Sequence, residues 1–148
     1  GAGVLTFLGD FAKTLLAAWL GSLLGGVIGS CLGAAFALIG HCFPVYFKFK
    51  GGKAVSAGAA VGLMIDWRLF VLLVAVFALM ALLSKRASVC SMTAAIVLAA
   101  GTPFFTKEPM LIALAVFTGL LVLVMHRANI RRLLRGEEPP FHLGSSKK

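Results

Sequence analysis

The sequence predicts an all-α, polytopic membrane protein, a bundle of about six transmembrane or partial helices. Of its 148 residues 60% are hydrophobic and only 13% are charged, and the mean hydropathy is +1.01. A soluble chain of this size lacks the polar groups to cover so much apolar surface. Apolar runs alternate with short polar, glycine or proline breaks, which is typical of successive membrane segments.

The chain opens with two apolar runs. Run A covers residues 6–24 and run B covers residues 27–41. Gly25 and Gly26 loosen the chain between them, and Pro44 marks the end of run B because proline cannot continue a helix. Glycines recur at every fourth position through both runs, at Gly21, Gly25, Gly29 and Gly33. Small residues at this spacing predict close helix approach.

Run C, residues 54–65, is the shortest, and it ends at Asp66, Trp67 and Arg68. An upright membrane span needs ~20 residues. Run C is therefore expected to be a half-helix, or a span among neighbours where the membrane is locally thin.

Runs D, E and F complete the bundle. Run D covers residues 69–83 and ends at the polar 84–86 segment. Run E covers residues 89–100 and is expected to end at the Gly-Thr-Pro sequence 101–103. Run F covers residues 110–125. Together the runs indicate one integral membrane domain over residues 1–148.

The distribution of Lys and Arg predicts the orientation of the chain. We let successive runs cross the membrane in alternating directions and place loop 43–53 inside. Two basic residues, Arg68 and Lys107, then lie outside. The inside then holds twelve: Lys13, Lys48, Lys50, Lys53, Lys85, Arg86, Arg127, Arg131, Arg132, Arg135, Lys147 and Lys148. This split fits the positive-inside rule, so the net charge of +9 indicates membrane topology, and no nucleic-acid partner is expected. Residues 127–148 are expected to form a basic cytoplasmic segment.

Several chemistries are disfavoured by the residues present. The cysteines, Cys31, Cys42 and Cys90, lie within or beside apolar runs and are interpreted as small hydrophobic residues. None of the three histidines has a Cys or carboxylate at zinc-ligand spacing, so no metal site is predicted. The sequence contains neither a G-x-S-x-G nucleophile elbow nor the His-x4-Asp pattern of acyl-CoA-dependent glycerolipid acyltransferases.

The stretch from His41 to Lys53 predicts an anion site. The backbone N–H groups of Gly51 and Gly52 can approach an anion closely, and Lys53 can supply a positive charge. Run C starts immediately afterwards, so its N-terminal dipole points at the same place. The alternative is a basic interfacial loop that binds lipid headgroups. The spacing of a Walker A loop is absent.

A second polar stretch follows run F. His126, Asn129 and Arg132 recur at helical spacing and can share a face. Arg132 can bind a phosphate, while His126 and Asn129 offer directional hydrogen bonds. A basic juxtamembrane helix attracted to anionic lipid is the alternative; it explains the arginines but not the His and Asn, nor the Glu137–Glu138 pair that follows.

Asp10 and Lys13 lie one helical turn apart within run A. Either they neutralise each other, or they serve function, as ionisable residues in membrane helices often do. Ser88 and Ser91, beside Arg86, are interpreted as capping or packing residues.

The two long stretches resemble motifs of the bacterial acyl-phosphate-dependent glycerol-3-phosphate acyltransferases, the PlsY family. G-H-x-F-P-x-x-x-x-F-K-G-G-K at Gly40–Lys53 is similar to the second motif of that family, and H-R-x-N-I-x-R-L-L-x-G-x-E at His126–Glu138 is similar to the third. The Gly9–Lys13 segment is similar to an element found early in the family. The resemblance runs over nearly the whole chain.

The resemblance implies transfer of an acyl group from acyl phosphate to the 1-hydroxyl of glycerol 3-phosphate, giving lysophosphatidic acid and phosphate for phospholipid biosynthesis. It implies seven membrane helices, of which six are counted here, and an active site facing the cytoplasm. We expect a multi-pass, monomeric enzyme of the bacterial cytoplasmic (inner) membrane. Its partners would be the two substrates and membrane lipid, and no cofactor is expected.

The resemblance also implies residue roles. The catalytic residues would be Lys53, His126 and Asn129, with His126 or a substrate phosphate as general base. The residues that bind substrate and phosphate would be Asp10, Lys13, His41, Gly51, Gly52, Lys53, Arg132 and Glu138. Acyl phosphate is an activated mixed anhydride, so positioning and charge stabilisation can supply much of the catalysis without a protein nucleophile.

Three departures from the family qualify the resemblance. The family's first motif, a Gly-Ser-Gly-Asn-type loop with a later Arg, does not appear, so the domain is expected to be N-terminally truncated. Ala54 stands where the family usually has Gly, and Glu137 where Thr is common. Two alternatives therefore stay open: a transporter or channel for a phosphorylated solute, with anion-binding groups near the bilayer midplane, or an inactive fragment.

Overall fold

The structure, a computed structural model, describes residues 2–45 and 51–140, and every regular element within them is an α-helix. The helices are α1 (Ala2–Cys42), α2 (Val55–Ile65), α3 (Trp67–Ser84), α4 (Ala87–Phe105), α5 (Pro109–Met125) and α6 (Arg127–Leu134). By length and apolar composition α1, α3 and α4 can each cross a membrane, and α5 with α6 can form a fourth, bent span. The prediction of an all-α membrane bundle is confirmed. Lys48, Lys50, Lys147 and Lys148 lie outside the described residues.

Helix α1 is a hairpin made of two limbs, residues 2–24 and 27–42. The limbs join at Gly25 and Gly26, whose backbone is not helical, and Gly26 has φ 55°, which favours glycine. The limbs then pack so closely that a Cβ atom on Gly21 or Gly29 would overlap the carbonyl oxygen of the other. Runs A and B therefore correspond to the two limbs, and the predicted close approach of their glycines is confirmed.

Helix α2 is short and enclosed by its neighbours. It contacts α1, α3, α4 and α5, and six of its eleven residues are buried. At 1.5 Å per residue α2 rises about 17 Å, whereas α3 rises about 27 Å. Only Asp66 separates the two helices, so the shorter α2 is expected to begin below the level at which α3 ends. We call the space in front of Lys53, at the N-terminus of α2, the recess.

Helix α4 runs further than expected. The break predicted at 101–103 is wrong, because the helix includes Pro103 and ends at Phe105. Pro103 removes only one backbone donor from the last turn. The following turn still closes, since Thr106 N–H donates to the carbonyl of Thr102 at 3.1 Å.

The bundle has two distinct polar ends. At one end the guanidinium of Arg68 lies 5.9 Å from the ring centroid of Phe105, which joins the start of α3 to the end of α4. At the other end lie Lys53, the α3–α4 turn and α6. Helix α6 meets α5 at His126 with a 56° bend and is amphipathic, with Asn129 buried.

Candidate functional site

The site is centred on a contact between two segments far apart in the sequence. Lys53 lies two residues before α2, and Asn129 lies on α6. The Nζ atom of Lys53 donates a hydrogen bond to Oδ1 of Asn129 at 2.8 Å. Asn129 is only 5% exposed. The bend between α5 and α6 turns the Asn129 face of α6 toward the recess, so both predicted motifs meet in one place.

Glu138 connects this pair to three more residues. Its Oε1 accepts hydrogen bonds from Asn129 Nδ2 at 2.7 Å and from Ser88 Oγ at 2.5 Å. Its Oε2 accepts from Arg132 Nε at 2.7 Å. Arg86 Nε donates to the Glu138 backbone carbonyl at 3.2 Å. Glu138 is itself buried, so it fixes the side chains around it in one arrangement.

The local sequence explains how Glu138 reaches this position. Gly136 has φ 72°, the left-handed conformation that ends many helices. Its N–H donates to the carbonyl of Leu133 at 3.1 Å, and the N–H of Glu137 donates to the carbonyl of Arg132 at 2.8 Å. This Schellman arrangement reverses the chain and brings Glu138 back beneath α6.

The electrostatics of this cluster favour an anionic ligand. Burial alone would raise the pKa of Glu138, but hydrogen bonds from Ser88, Asn129 and Arg132 lower that pKa to about 2. Glu138 is therefore ionised near neutral pH. Its single negative charge faces the positive charges of Lys53, Arg86 and Arg132, which leaves a net positive cluster suited to a phosphate.

His126 lies at the bend between α5 and α6 and is 2% exposed. Its Nδ1 lies 2.8 Å from the carbonyl oxygen of Val122. A carbonyl only accepts, so Nδ1 carries the proton, and the lone pair of the neutral ring is on Nε2. Asn129 and Arg132, two of the three residues predicted to share a helix face, both donate hydrogen bonds to Glu138. The ring of the third residue, His126, is instead hydrogen-bonded to the Val122 carbonyl on α5.

The diglycine turn packs against the end of α1. The N–H groups of Gly51 and Gly52 donate to the carbonyls of Cys42 and His41, at 3.2 and 3.1 Å. A Cβ on Gly51 would overlap the His41 carbonyl, and a Cβ on Gly52 would overlap the His41 ring. Glycine is thus required here for close packing. Anion binding by these two amides stays a prediction, because both already have carbonyl partners.

Asp10, Lys13 and His41 form a second polar cluster on the other side of this turn. Lys13 Nζ lies 2.5 Å from Asp10 Oδ1, and His41 Nδ1 lies 3.2 Å from the same oxygen. Asp10 and Lys13 do pair with each other, and His41 joins them. Their predicted role in substrate binding is not tested by these contacts, which are among the three side chains.

Sequence reasoning missed two members of the Glu138 cluster, the hydrogen-bonded group of Lys53, Arg86, Ser88, Asn129, Arg132 and Glu138. Ser88 was interpreted as a capping or packing residue, and Arg86 only as a topological charge. The available signal was their position beside the predicted inside turn between runs D and E. Among the described residues, no three His, Cys, Asp or Glu side chains lie together in a way that could hold a metal ion.

An apolar cavity of about 430 Å³ is lined in part by residues close in sequence to the Glu138 cluster and to His126. Its lining includes Val55, which is two residues after Lys53, Ser91, which is one turn after Ser88, and Val122, the partner of His126. From there it extends between α2, α3 and α4 to Phe70 and Leu98. The lining is almost wholly apolar.

Comparison with known proteins gives consistent matches. Residues 1–136 match the family model described as glycerol-3-phosphate acyltransferase. Curated proteins of that name from Geobacillus kaustophilus and Bacillus velezensis are 37% and 40% identical over 138 residues. Each alignment covers 93% of this chain, and 70% or 71% of the relative.

Two solved structures match the fold. They are crystal structures of PlsY (YgiH), an integral membrane glycerol 3-phosphate acyltransferase, in a glycerol 3-phosphate form and a lysophosphatidic acid form. The TM-scores are 0.89 and 0.88, each at 29% identity. The matches cover 95% of this chain and 72% or 73% of those chains.

Proposed function

This chain belongs to the glycerol-3-phosphate acyltransferase family of integral membrane enzymes, and we propose that it acylates glycerol 3-phosphate with acyl phosphate as donor. The products are lysophosphatidic acid and phosphate. One observation carries the proposal for the site: Lys53, Asn129, Arg132 and Glu138 form a single hydrogen-bonded cluster with a net positive charge. Both substrates carry a phosphate, and such a cluster would bind one.

The reaction is a direct acyl transfer. The 1-hydroxyl oxygen of glycerol 3-phosphate attacks the carbonyl carbon of acyl phosphate and forms the new ester bond. The bond from that carbon to the phosphate oxygen breaks, and phosphate leaves with the electron pair. The hydroxyl proton passes to His126 Nε2 or to a phosphate oxygen. Within the His126–Glu138 stretch, His126 is the one side chain whose ordinary pKa lies near neutral pH, so we assign the general base to one of these two acceptors.

The chain's own residues supply charge and orientation. Lys53 and Arg132 stabilise the leaving phosphate, whose negative charge grows as the bond breaks. Asn129 lies between Lys53 and Glu138 and fixes the direction of the ammonium group. Glu138 orients Asn129 and Arg132. The N-terminal dipole of α2 points into the same recess and favours an anion there.

We assign the donor's acyl chain to the apolar cavity whose lining includes Val55 and Val122. Because acyl phosphate reaches the site from the membrane, the cavity keeps its methylene groups out of water, where each would cost about 0.8 kcal/mol, and it directs the carbonyl carbon to the recess. The polar cluster lies at one end of the bundle rather than at its centre. This location suits a soluble and a membrane-bound substrate, and disfavours the transporter alternative.

We assign the polar end to the cytoplasmic side of the bacterial inner membrane. Eight basic residues within the described ranges belong to that end by the threading above: Lys13, Lys53, Lys85, Arg86, Arg127, Arg131, Arg132 and Arg135. The positive-inside rule then sets the orientation. A monomer is proposed, because the cluster is assembled within one chain.

The test is phosphate release from palmitoyl phosphate by the purified chain in detergent. We expect release that depends on added glycerol 3-phosphate and is matched mole for mole by lysophosphatidic acid. Hydrolysis without glycerol 3-phosphate serves as the blank. Release that is independent of glycerol 3-phosphate would contradict the proposal, and no turnover at all would favour the inactive-fragment alternative.

A further inference from the structure

The Asp10, Lys13 and His41 cluster is assembled by the α1 hairpin. Asp10 and His41 lie on opposite limbs, nearly equidistant from the turn at Gly25 and Gly26. The glycine contacts between the limbs set this register, because a Cβ on Gly21 or Gly29 would overlap the facing backbone. The hairpin thus brings a carboxylate on the first limb to an imidazole at the end of the second.

One nitrogen of the His41 ring is held by this cluster. Nδ1 lies 3.2 Å from Asp10 Oδ1 and 3.4 Å from Lys13 Nζ. With the proton on Nδ1 the ring donates to Asp10, and with the proton on Nε2 the ring accepts from Lys13. The ring is therefore oriented in either tautomer. Its side chain is only 11% exposed, whereas that of Lys13 is 47% exposed.

The other edge of the ring faces the diglycine turn. Nε2, Cε1 and Cδ2 of His41 are the nearest atoms to the place where a Cβ on Gly52 would lie. The backbone of the same residue also holds the turn, since Gly52 N–H donates to the His41 carbonyl at 3.1 Å. His41 therefore contacts Gly52 with both its side chain and its main chain.

Lys53 follows this turn directly, and its Nζ reaches Asn129 at 2.8 Å. Any shift of Gly52 moves the Cα of Lys53, and a misplacement of about 1 Å is enough to reduce catalysis about 100-fold. The position of the Lys53 ammonium group thus depends on what Gly52 packs against.

We propose that Asp10 and His41 are positioning residues: Asp10 orients the His41 ring, the ring fixes Gly52, and the turn thereby places Lys53 against Asn129. This inference rests on the proposed function. It replaces direct substrate contact as the role of Asp10 and His41. Lys13 completes the ion pair with Asp10.

The experiment is a pair of double-mutant cycles measured as kcat and KM for glycerol 3-phosphate, in the full chain with palmitoyl phosphate as donor. Gly52→Ala should lower kcat about 100-fold, since its Cβ displaces the turn from the ring. His41→Ala should lower kcat about 10-fold and leave KM within about twofold. Gly52→Ala with His41→Ala should match His41→Ala alone, because the methyl group then occupies the space of the absent ring.

The second cycle does not depend on a substituted glycine. Asp10→Asn should lower kcat by several-fold, and Asp10→Asn with His41→Ala should be no worse than His41→Ala alone. Asp66→Asn is the matched control at the opposite end of the bundle and should leave kcat unchanged. Thermal unfolding of each variant separates lost positioning from lost folding.

The outcomes are distinguishable. Additive losses in both cycles would overturn the positioning role. A raised KM with unchanged kcat would also overturn it, because that is the signature of residues that bind substrate directly. Failure of the wild-type chain to turn over would instead strike the proposed function, whatever the variants do.

Discussion

The two polar ends of the bundle contain similar residues but differ in how they are built. At the end that holds the start of α3, Asp66 and Arg68 are two residues apart, and Asp66 accepts from Arg68 at 2.9 Å. At the opposite end, which holds α6, Glu138 joins residues 6, 9 and 50 positions away, and Asn129 joins Lys53, 76 positions away. Arg68 is 61% exposed, whereas Asn129 and Glu138 are buried.

This difference separates a local helix cap from a candidate functional cluster. The Asp66 side chain caps α3 by accepting from the Arg68 N–H at 2.7 Å, a need that helix termini have in general. The Glu138 side chain does not cap a helix terminus in this way. Its cluster brings charged and polar side chains together in the recess, where burying polar groups costs free energy. Ionisable groups retained at such a cost in a membrane protein are typical of functional sites.

Removal of the Lys53 ammonium group should have the largest effect. Lys53→Ala should lower kcat by about 1,000-fold, the upper range for loss of one donor that stabilises developing charge. Steady-state phosphate release measures it. Lys85→Ala is the matched control, an exposed lysine at the same end of the bundle, and should change the rate less than twofold. If Lys85→Ala lowered kcat as much as Lys53→Ala does, Lys53 would act only as one of many surface charges and not as part of a specific site.

Loss of the Glu138 charge should come next. Glu138→Gln should lower kcat about 10- to 100-fold, because Asn129 and Arg132 lose the acceptor that orients them. It should also lower the Tm more than Asp66→Asn does, since Glu138 is buried and joins α4 and α6. Activity assays and thermal unfolding in detergent check both statements. Equal Tm changes in Glu138→Gln and Asp66→Asn would contradict the distinction between a buried cluster and an exposed helix cap.

The same substitution predicts a pH dependence. The pKa of Glu138 is lowered to about 2 in the folded state, from an ordinary value of 4.5. Its ionised form therefore stabilises the fold above pH 4.5, and this contribution is lost as the pH falls toward 2. The Tm difference between wild type and Glu138→Gln should be full at pH 6 and should shrink progressively below pH 4.5. A difference that grows on acidification would contradict the assigned hydrogen bonds.

The smallest effect is expected at Ala54. This residue has φ 60°, a conformation that costs a non-glycine residue about 1–2 kcal/mol. Its buried methyl group offsets part of that strain, since burying a carbon is worth about 0.8 kcal/mol. Ala54→Gly should therefore raise the Tm slightly and leave kcat within about twofold. A large loss of activity would show that the methyl group itself shapes the recess.

The sequence predicted the Lys53 and α6 end in outline, because the residues that mark this end are close together within each of its two segments. The diglycine next to Lys53, the spacing of Asn129 and Arg132, and the lysine and arginine distribution could all be read directly. Ala54 has the left-handed backbone conformation that glycine adopts most easily, which agrees with the glycine usual at this position in the family. The hairpin followed from glycine spacing, since close approach needs small residues.

The remainder depended on tertiary contacts. Ser88 meets Glu138 across 50 residues, and nothing near Ser88 in the sequence marks that partner. The amides of Gly51 and Gly52 were predicted to face an anion, but the end of α1 supplies carbonyl acceptors that only the folded chain brings within reach. Pro103 shows that a proline does not always end a helix. In the last turn of α4 it removes only one backbone N–H donor, and the helix continues to Phe105.

The Lys53 turn and α6 are proposed to form one anion site. The most direct measurement is the rise in Tm produced by glycerol 3-phosphate in wild type and in three variants, Lys53→Ala, Asn129→Ala and Asp66→Asn. We predict that the rise seen in wild type persists in Asp66→Asn and disappears in both Lys53→Ala and Asn129→Ala, since a ligand stabilises only the state that binds it. A rise that survives in either of those two variants would show that the segments do not share a ligand.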